Sequence, residues 1–372
     1  MKTIIRDITE QCHGRMIVVS DVHGYGHYLK GLLEKVQYTQ DDTLIIVGDL
    51  IEKGGNSLET VRYVMQLKKE NPKVHVLAGN VDADRIGSFL DQSEGHEERF
   101  LEALRWTKKV WKRGLFLDML AELGITVEEV TENNVAEVKE KIRTAYREEI
   151  ELLWEIPTIL ICGNYLFVHG GIPTENLKEL EKEDAFWFMK VDAFMEQPVA
   201  FRRCVVVGHW PVCLYQTEAD DMNPMFDYEK RIISIDGGCA LKIGEQLNAL
   251  LIPEPFADMK EIMVDAYDDY PEIYAKKAQA AQTQTICLKY FDAEVEVLEE
   301  KEDVVVLRHK SSGVVFDAPE SYLYHRGEKI FCNDFTNLQL EICEGDVLKV
   351  IVQTSVGAIV KKEGRIGWYR NK

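Results

Sequence analysis

The sequence predicts an α/β fold whose strands form layered sheets covered by helices, followed by a small all-β barrel. Short runs rich in Val and Ile each end in a polar residue beside a glycine, which is typical of buried strands that lead into loops. Apolar residues at helical spacing follow the first runs, so strands and helices alternate early in the chain. Near residue 285 the apolar period changes to two, and short strands separated by turn residues predict the barrel. The early apolar runs are Met16–Val19, Thr43–Val47, Val74–Leu77, Tyr165–Val168 and Val205–Val207.

The first half of the chain opens with a strand–helix–strand–helix–strand pattern. The first helix follows Gly24 and extends to about Val36, and the second begins near Ser57 and ends before Pro72. Apolar residues at helical spacing among many Glu and Lys predict a helical insertion over about residues 84–155. This insertion is either a solvated cap that packs on the core or a lid that shapes a pocket, and the two are about equally favoured.

Changes in composition and period predict the domain boundaries. A first domain over residues 1–260 ends just after the strand-breaking segment Pro253-Glu254-Pro255. The Ala- and Gln-rich residues 261–284 predict a linker helix. Residues 285–372 then form the predicted β-barrel.

The barrel offers two interpretations of its aromatic residues. The pairs Gly345-Asp346 and Gly367-Trp368 resemble the Gly-Asp and Gly-Trp signatures of SH3-like barrels. Tyr322, Tyr324 and Trp368 would then line a groove for a peptide or protein partner. They are equally well explained as the core of the barrel.

Polar side chains of metal-binding types stand where the early strands end. Each alone is weak evidence, since a lone His after a strand is usually structural. The ordered set of carboxylates, imidazoles and one amide suits two divalent ions ~3.5–4 Å apart that share a bridging carboxylate. Mixed nitrogen and oxygen ligands favour Mn, with Fe or Zn as alternatives, over Ca. The candidate ligands are Asp21, His23, Asp49, Asn80, His169 and His209.

Five motifs carry these ligands: Asp21-Val22-His23-Gly24, Gly48-Asp49-Leu50-Ile51-Glu52-Lys53-Gly54, Gly79-Asn80-Val81-Asp82, His169-Gly170-Gly171 and Gly208-His209. In this order they resemble the calcineurin-like metallophosphoesterases, in particular the branch of serine/threonine protein phosphatases and dinucleoside tetraphosphate hydrolases. The resemblance covers roughly residues 15–252 and implies a layered β-sandwich flanked by helices. It also implies that one ion is held by Asp21, His23 and Asp49, and the other by Asp49, Asn80, His169 and His209.

Two motifs depart from the family pattern. Family members carry a His after the motif Asn, oriented by an Asp, and this His protonates the leaving group; here the two positions are Val81 and Glu52. Lys53 stands where an Arg normally grips the phosphate, so a planar two-pronged donor is replaced by a mobile point charge. The expected catalytic residues are therefore Asp49, Asn80 and Lys53, without the usual histidine acid.

Three functions are compatible with this pattern. The first is a dinuclear metal-dependent phosphoesterase, in which a metal-activated hydroxide attacks a phosphate monoester or phosphoanhydride of a small molecule or phosphoprotein. The second is a pseudophosphatase that binds metal and phosphate without turnover. The third is a scaffold that acts through its C-terminal barrel. The first ranks highest, because six matched ligands are hard to retain by accident in a chain that uses none.

Composition excludes some classes of partner. The 372 residues carry a formal net charge of −20, which argues against binding to nucleic acid or to an anionic membrane surface. The N-terminal residues lack the apolar segment of a secretory signal, and no long apolar stretch is present, so a cytoplasmic location is expected. The eight cysteines include no Cys-x-x-Cys pair, which predicts reduced thiols rather than a disulfide framework or a structural zinc site.

Overall fold

The structure is a computed structural model that describes residues 1–154, 156–217, 219–283 and 286–370. None of the helices within these ranges is both long and apolar enough to cross a membrane. The helices are α1 Gly26–Lys35, α2 Ser57–Glu70, α3 Asn80–Leu90, α4 His96–Val110, α5 Leu115–Glu122, α6 Val135–Ala145, α7 Arg147–Trp154, α8 Leu177–Leu180 and α9 Phe186–Met189. The strands are β1 Ile5–Asp7, β2 Met16–Val19, β3 Thr43–Ile46, β4 Val74–Val76, β5 Ile159–Cys162, β6 Tyr165–Val168, β7 Cys204–Val207, β8 Asp220–Asp221, β9 Met225–Asp227, β10 Ile232–Ser234, β11 Leu247–Ile252, β12 Met263–Tyr267, β13 Glu272–Tyr274, β14 Cys287–Leu288, β15 Glu294–Glu300, β16 Val304–His309, β17 Val315–Pro319, β18 Leu323–Arg326, β19 Lys329–Cys332, β20 Phe335–Thr336, β21 Val347–Thr354, β22 Gly357–Lys362 and β23 Arg365–Arg370.

The first of two compact units contains two stacked sheets and comprises residues 1–211, 224–241 and 246–267. One sheet has the strand order β1-β5-β6-β7-β10-β9, and the other has the order β12-β11-β2-β3-β4. Side chains alternate along β2, so that Met16 and Val18 share a core with Phe167 of the facing sheet. Ile17 and Val19 point the other way and share a core with helices α1 and α2. The predicted layered β-sandwich flanked by helices is therefore confirmed.

The predicted helical insertion is confirmed as helices α3 to α7, and it begins at Asn80 rather than at residue 84. Buried residues such as Phe100, Leu120 and Ile142 join the core that α1 and α2 form on the sheet. This packing supports the interpretation of the insertion as a cap. A movement that opens and closes it as a lid remains a prediction.

Parallel pairing brings the ligand-bearing strand ends to one edge of the sandwich. In one sheet β2, β3 and β4 are parallel, with Val18 opposite Ile45 and Ile45 opposite His75. In the other sheet β6 and β7 are parallel, with Phe167 opposite Val206. Since parallel strands end at the same edge, the loops that follow these five strands lie side by side.

The second unit comprises residues 212–223, 242–245 and 268–372, and its described residues contain β-strands and short 3₁₀ turns but no α-helix. Its larger sheets are antiparallel, with strand orders β13-β21-β22-β23-β8 and β17-β16-β15-β19-β18, and β14 pairs with β20. Register shifts at Val297/Glu299 and at Val350/Val352 mark bulges, which increase the local twist of a sheet. The all-β character of this region agrees with the sequence, whereas its likeness to SH3 barrels remains a prediction.

Two of the three aromatic residues predicted to line a groove lie in the core of the second unit. Tyr322 is 3% exposed and Trp368 is fully buried. The ring of Tyr322 packs edge-on against Phe335, which stacks on Phe316. The predicted groove is therefore wrong for Tyr322 and Trp368, because both rings are buried, whereas Tyr324 is half-buried and stacks on Phe331. A partner at another face of this unit remains a prediction.

The linker helix predicted for residues 261–284 is wrong over the described part of that segment. Met263–Tyr267 forms β12, antiparallel to β11, and Glu272–Tyr274 forms β13, antiparallel to β21. The Gln-rich part makes isolated β-bridges through Gln279 and Gln282. Apolar spacing in a short segment does not separate a helix from a strand, and pairing with neighbouring strands satisfies the backbone groups here. The first unit accordingly extends to Tyr267.

Candidate metal centre

Three buried side chains from separate strand ends converge in the first unit. Asp21, Asp49 and His169 each offer one ligand atom, and these atoms lie within 4.8 Å of one another. Nε2 of His169 is 3.4 Å from Oδ1 of Asp49, and each of the three residues is at most 1% exposed. Carboxylate and imidazole groups at this spacing are suited to a transition metal ion.

Backbone carbonyl groups orient the rings of His23 and His169. Nδ1 of His23 lies 3.2 Å from the carbonyl oxygen of Ile51, and Nδ1 of His169 lies 2.8 Å from that of Val47. Because a carbonyl oxygen only accepts hydrogen bonds, each neutral ring carries its proton on Nδ1 and presents the lone pair of Nε2. Nε2 of His23 is 3.6 Å from Oδ2 of Asp49. Hydrogen bonds of this kind are typical of metal-binding histidines.

Asp21 presents a carboxylate oxygen that fits a cation. Its Oδ2 accepts hydrogen bonds from the hydroxyl of Ser20 and, at 3.1 Å, from the backbone amide of His209. Its Oδ1 is buried, and no described residue hydrogen-bonds to it. A buried oxygen of this kind is costly unless a positive charge stabilises it. The donor set of the cluster therefore fits a metal ion.

The pKa shifts of the cluster residues also favour a bound metal ion. Burial opposes protonation of His169, but Asp49 and Asp21 outweigh this effect and raise its pKa to about 10. Burial, reinforced by Asp49, raises the pKa of Asp21 to about 6. Burial also opposes ionisation of Asp49, yet the positive charge of its neighbours, led by His169, holds its pKa well below the ordinary value. A proton on His169 thus offsets the charge of the two carboxylates, which is the role that a bound metal cation would take over.

Asn80 and His209 border the cluster. Oδ1 of Asn80 lies 3.2 Å from Nε2 of His169, and the ring centroids of His169 and His209 are 5.4 Å apart. Nε2 of His209 lies 2.8 Å from Oδ1 of Asp192, which leaves Nδ1 as its candidate ligand atom. Sequence reasoning does not find Asp192, because this residue follows no strand and belongs to no motif.

Lys53 also reaches the cluster. Its ammonium nitrogen lies 3.1 Å from Nε2 of His23 and 3.8 Å from Oδ2 of Asp49. The side chain is 15% exposed, so it stands between the buried carboxylates and the surface. A cation in this position is suited to bind an anionic group that enters from solvent.

The backbone of the ligand loops is strained. Residues other than glycine rarely adopt positive φ, and each such residue costs on the order of 1–3 kcal/mol that the surrounding structure must offset. Such strain is concentrated at functional sites in proteins. In the described chain the predicted ligands with positive φ are Asp21 at 52°, His23 at 48°, Asp49 at 48° and His209 at 66°.

A family model described as calcineurin-like phosphoesterase matches residues 14–232, more than half of the chain. The chain belongs to the calcineurin-like phosphoesterase family. The matched region contains all six predicted ligands and both stacked sheets except strands β1, β11 and β12 and part of β10.

Relatives of known name align with part of the chain. The symmetrical bis(5'-nucleosyl)-tetraphosphatase of Salmonella paratyphi B is 38% identical over 105 residues, which cover 25% of this chain and 36% of that protein. The protein of the same name from Buchnera aphidicola subsp. Schizaphis graminum is 32% identical over 85 residues, which cover 23% and 30% of the two chains. The aligned segment thus spans about a third of the length of these curated relatives. A serine/threonine phosphatase structure from Saccharomyces cerevisiae has a TM-score of 0.45 and 12% identity, covering 72% of this chain and 84% of its own.

Glu52, which follows Asp49 in the second ligand loop, is held by residues of the helical insertion. Oε1 of this buried residue accepts a 2.8 Å hydrogen bond from the amide of Leu115, the first residue of α5. Oε2 lies 3.6 Å from Nε of Arg85 in α3. The Arg85 guanidinium in turn lies 4.9 and 5.5 Å from the ring centres of Trp111 and Trp106. Glu52 therefore joins the second ligand loop to the helical insertion.

Val81 and Asp82 contribute to the third ligand loop in different ways. The backbone amide of Val81 donates a 2.9 Å hydrogen bond to Oδ1 of Asp49, although its side chain carries no donor. The fully buried carboxylate of Asp82 accepts hydrogen bonds from the amides of Leu50, Ile51 and Gly79. Asp82 therefore ties the loop that follows Asp49 to the start of α3.

Proposed function

We propose that this protein is a dinuclear metal-dependent phosphohydrolase that prefers phosphoanhydrides and aryl phosphates. One ion would be held by Asp21, His23 and Asp49, and the other by Asp49, Asn80, His169 and His209. The observation that carries the proposal is the buried cluster of Asp21, Asp49 and His169, with one carboxylate oxygen that no described residue hydrogen-bonds. Mn is the favoured ion, with Fe or Zn as alternatives, because the ligands mix imidazole nitrogen with oxygen.

The residues of the site have different roles in the proposed reaction. When bound, the two ions supply Lewis acidity, which neutralises the phosphate charge and lowers the pKa of the attacking water. Lys53 binds a non-bridging phosphate oxygen at the entrance of the site. Asp82 and the amide of Val81 keep Asp49 in its strained conformation, so that its carboxylate can serve both ions.

The preference for phosphoanhydrides follows from the leaving group. A serine or threonine alkoxide needs a proton as it departs, and a positioned acid typically supplies 10²–10⁴-fold of rate. Valine cannot donate this proton, and Glu52 is engaged by Leu115 and Arg85. A phosphate or phenolate leaves without such help. The tetraphosphatase relatives act on a substrate of the anhydride class, which is consistent with this preference.

A panel of substrates tests the proposal. The purified protein is loaded with Mn, and turnover is measured on diadenosine tetraphosphate, 4-nitrophenyl phosphate and a phosphoserine peptide. We expect about two ions per chain by elemental analysis and faster turnover of the first two substrates than of the peptide. A preference for the phosphoserine peptide would contradict the proposed specificity. Metal binding without turnover of any substrate would favour a pseudophosphatase, the second candidate, which the engagement of Glu52 by Leu115 and Arg85 also supports.

A further inference from the structure

An open cleft lies on the outer face of α3 in the first unit, outside the cluster of candidate ligands. Its volume is about 560 Å³, within the range of ~300–1,000 Å³ that is usual for small-molecule sites. Ala83, Asp84 and Gly87 form its floor, while Trp154 at the end of α7 and Phe186 at the start of α9 contribute to its walls. We define these five residues as the α3 cleft.

The floor of the α3 cleft is open at Gly87. A side-chain carbon built at this position meets no atom within 4 Å, so neighbouring side chains leave the glycine uncovered. Glycine in a helix interior is unfavourable relative to alanine, and it is often retained where another group approaches the backbone closely. The uncovered backbone at Gly87 therefore leaves space for a flat part of a ligand to lie against α3.

The walls of the cleft carry exposed aromatic rings. Trp154 and Phe186 are each 42% exposed, although large apolar side chains normally bury most of their surface. Adjacent Phe188 and Met189 are buried, so the aromatic segment of α9 is divided between core and surface. Aromatic rings at the edge of a cleft are typical stacking partners for nucleobases.

The polar groups of the cleft favour a neutral ligand rich in hydrogen-bond donors. The side chain of Asp84 is 61% exposed, and its carboxylate lies 3.4 Å from a guanidinium nitrogen of Arg85. Arg99, a cation of the cleft lining, is engaged by the carboxylate of Asp91 and the hydroxyl of Ser93. The terminal amine of Met1 is likewise paired, with Asp184. The carboxylates of Asp84, Asp91 and Asp184 repel phosphate but can accept hydrogen bonds from ribose hydroxyls and exocyclic amines.

Two helices that line the cleft, α3 and α9, also contact or begin in the loops of the candidate metal centre. Helix α3 starts at Asn80, so Gly87 lies about 10 Å farther along the helix axis. The carbonyl oxygen of Phe188 in α9 accepts hydrogen bonds from the amides of Gly170 and Gly171, which follow His169. A ligand in the cleft therefore lies beside the loops that carry two of the predicted metal ligands.

We propose that the α3 cleft binds the nucleoside of a dinucleoside polyphosphate, with the base against Gly87 and stacked on Trp154 or Phe186. The polyphosphate chain then extends toward Asn80 and His169. This inference rests on the proposed function, which it extends by assigning the part of the substrate that does not react. The cleft selects substrates through binding and takes no part in the chemical step.

Paired variants test the cleft by kinetics. Gly87→Leu fills the floor, and Phe186→Ala removes a stacking ring, whereas Trp187→Ala removes a neighbouring ring that is 71% exposed and does not line the cleft. We expect Gly87→Leu and Phe186→Ala to raise the KM for diadenosine tetraphosphate, relative to that for 4-nitrophenyl phosphate, by roughly tenfold, the scale of one base-stacking contact. Trp187→Ala should leave this ratio unchanged. An equal KM ratio in all four proteins would overturn the proposal.

Equilibrium binding separates this proposal from the proposed function. Adenosine is titrated calorimetrically into the chelator-treated full chain, where no turnover occurs, and Gly87→Ala serves as a control for folding. Adenosine should bind the wild type and bind Gly87→Leu at least about tenfold more weakly. If no phosphate ester or anhydride is turned over, the proposed function fails, while the adenosine titration still decides the cleft. Absence of adenosine binding to the wild type, or a loss of phosphopeptide rather than nucleotide turnover in Gly87→Leu, would contradict a nucleoside site.

Discussion

At the scale of single residues, the candidate centre depends on close approach of the ligand loops. The glycines that precede Asn80 and His209 leave space for carboxylates from other loops. A side-chain carbon at Gly79 would lie 2.1 Å from the amide nitrogen of Asp49, and one at Gly208 would lie 2.2 Å from Oδ2 of Asp21. The glycines beside the ligands are therefore required by packing across the site.

Asp49 is expected to be the least replaceable ligand. Its two oxygens face His169 and His23 at 3.4 and 3.6 Å, and a bridging carboxylate that loses its charge unbalances two cations at once. Asp49→Asn should therefore lose both bound ions and all turnover. Elemental analysis of the purified variant provides the measurement, with Asp41→Asn, a change at an exposed residue, as the control. A variant that retains two ions per chain would contradict the bridging role.

Gly79, which directly precedes α3, and Gly87 within α3 should respond to alanine in opposite ways. Gly79→Ala places a carbon within 2.2 Å of Asp49, and such overpacking typically costs about 1–3 kcal/mol in the free energy of unfolding. Gly87→Ala adds a carbon in open space and should stabilise the helix by about 0.5–1 kcal/mol. Urea unfolding measures both changes, and metal content should fall only in Gly79→Ala. Similar effects of the two changes would show that the contact with Asp49 has no importance.

Val81→His tests the missing acid. A histidine that reaches the leaving oxygen should raise turnover of a phosphoserine peptide by much more than turnover of 4-nitrophenyl phosphate, because only the alkoxide needs the proton. Val81→Leu retains the apolar character and serves as the control. The ratio of the two kcat/KM values is the measurement. Equal gains on both substrates would show that the leaving group does not limit the reaction.

At the scale of elements, Glu52 links the ligand loop to helices α3 and α5. Burial raises its pKa to about 7, although Arg85 opposes this shift, whereas a glutamate in an unfolded chain titrates near ~4.3. Between these two values the folded protein retains a proton that the unfolded chain has lost. The resulting stability is complete below pH ~4.3 and is lost as the pH rises through about 7.

When the pH is raised from 5 to 8, Glu52→Gln should therefore lose less of its free energy of unfolding than the wild type does. The amide oxygen of glutamine can still accept the hydrogen bond from Leu115, but the side chain no longer ionises. Urea unfolding at the two pH values gives the comparison, and Glu132→Gln, at an exposed glutamate, is the control. If Glu52→Gln and the wild type lose the same free energy of unfolding over this range, Glu52 is not the titrating group.

At the scale of the whole molecule, the second unit is not a simple C-terminal module. It includes residues 212–223 and 242–245, which lie between segments of the first unit in the sequence. Cys213 and Met222 belong to the same core as Trp368, and β8 pairs with β23. Removal of the C-terminal residues therefore exposes apolar side chains that remain in the chain.

A chain that ends at Tyr267 should consequently be less stable than the intact protein and prone to aggregation. The reason is the loss of the core around Cys213 and Met222. Thermal unfolding and soluble yield measure the effect. A matched chain that ends at the same residue, but carries a Gly/Ser segment in place of residues 213–223, should recover solubility. Full solubility of the simple truncation would show that the two units fold independently.

Local sequence patterns predict much of the first unit and of its candidate centre. Each ligand follows a buried strand, and all but Asp21 stand beside a glycine; both features are encoded within about ten residues. The parallel arrangement of β2, β3 and β4 then brings the ends of those strands together. For this reason Asp21 and Asp49 could be identified as neighbours from the sequence, whereas His169 follows β6 of the other sheet and joins them only when the two sheets stack.

Features that depend on distant contacts could be decided only by the tertiary structure. Glu52 bonds to Leu115, 63 residues away, and no local pattern indicates that its carboxylate is engaged by the insertion. Asp192 contacts His209 from a loop that carries no motif. Residues 263–267 form a strand because they pair with the edge of β11. The residues that could bind metal are recognisable from local patterns in the chain, since strand and turn preferences are local. The tertiary structure alone decided what surrounds them, since hydrogen bonds and packing join residues that are far apart in the chain.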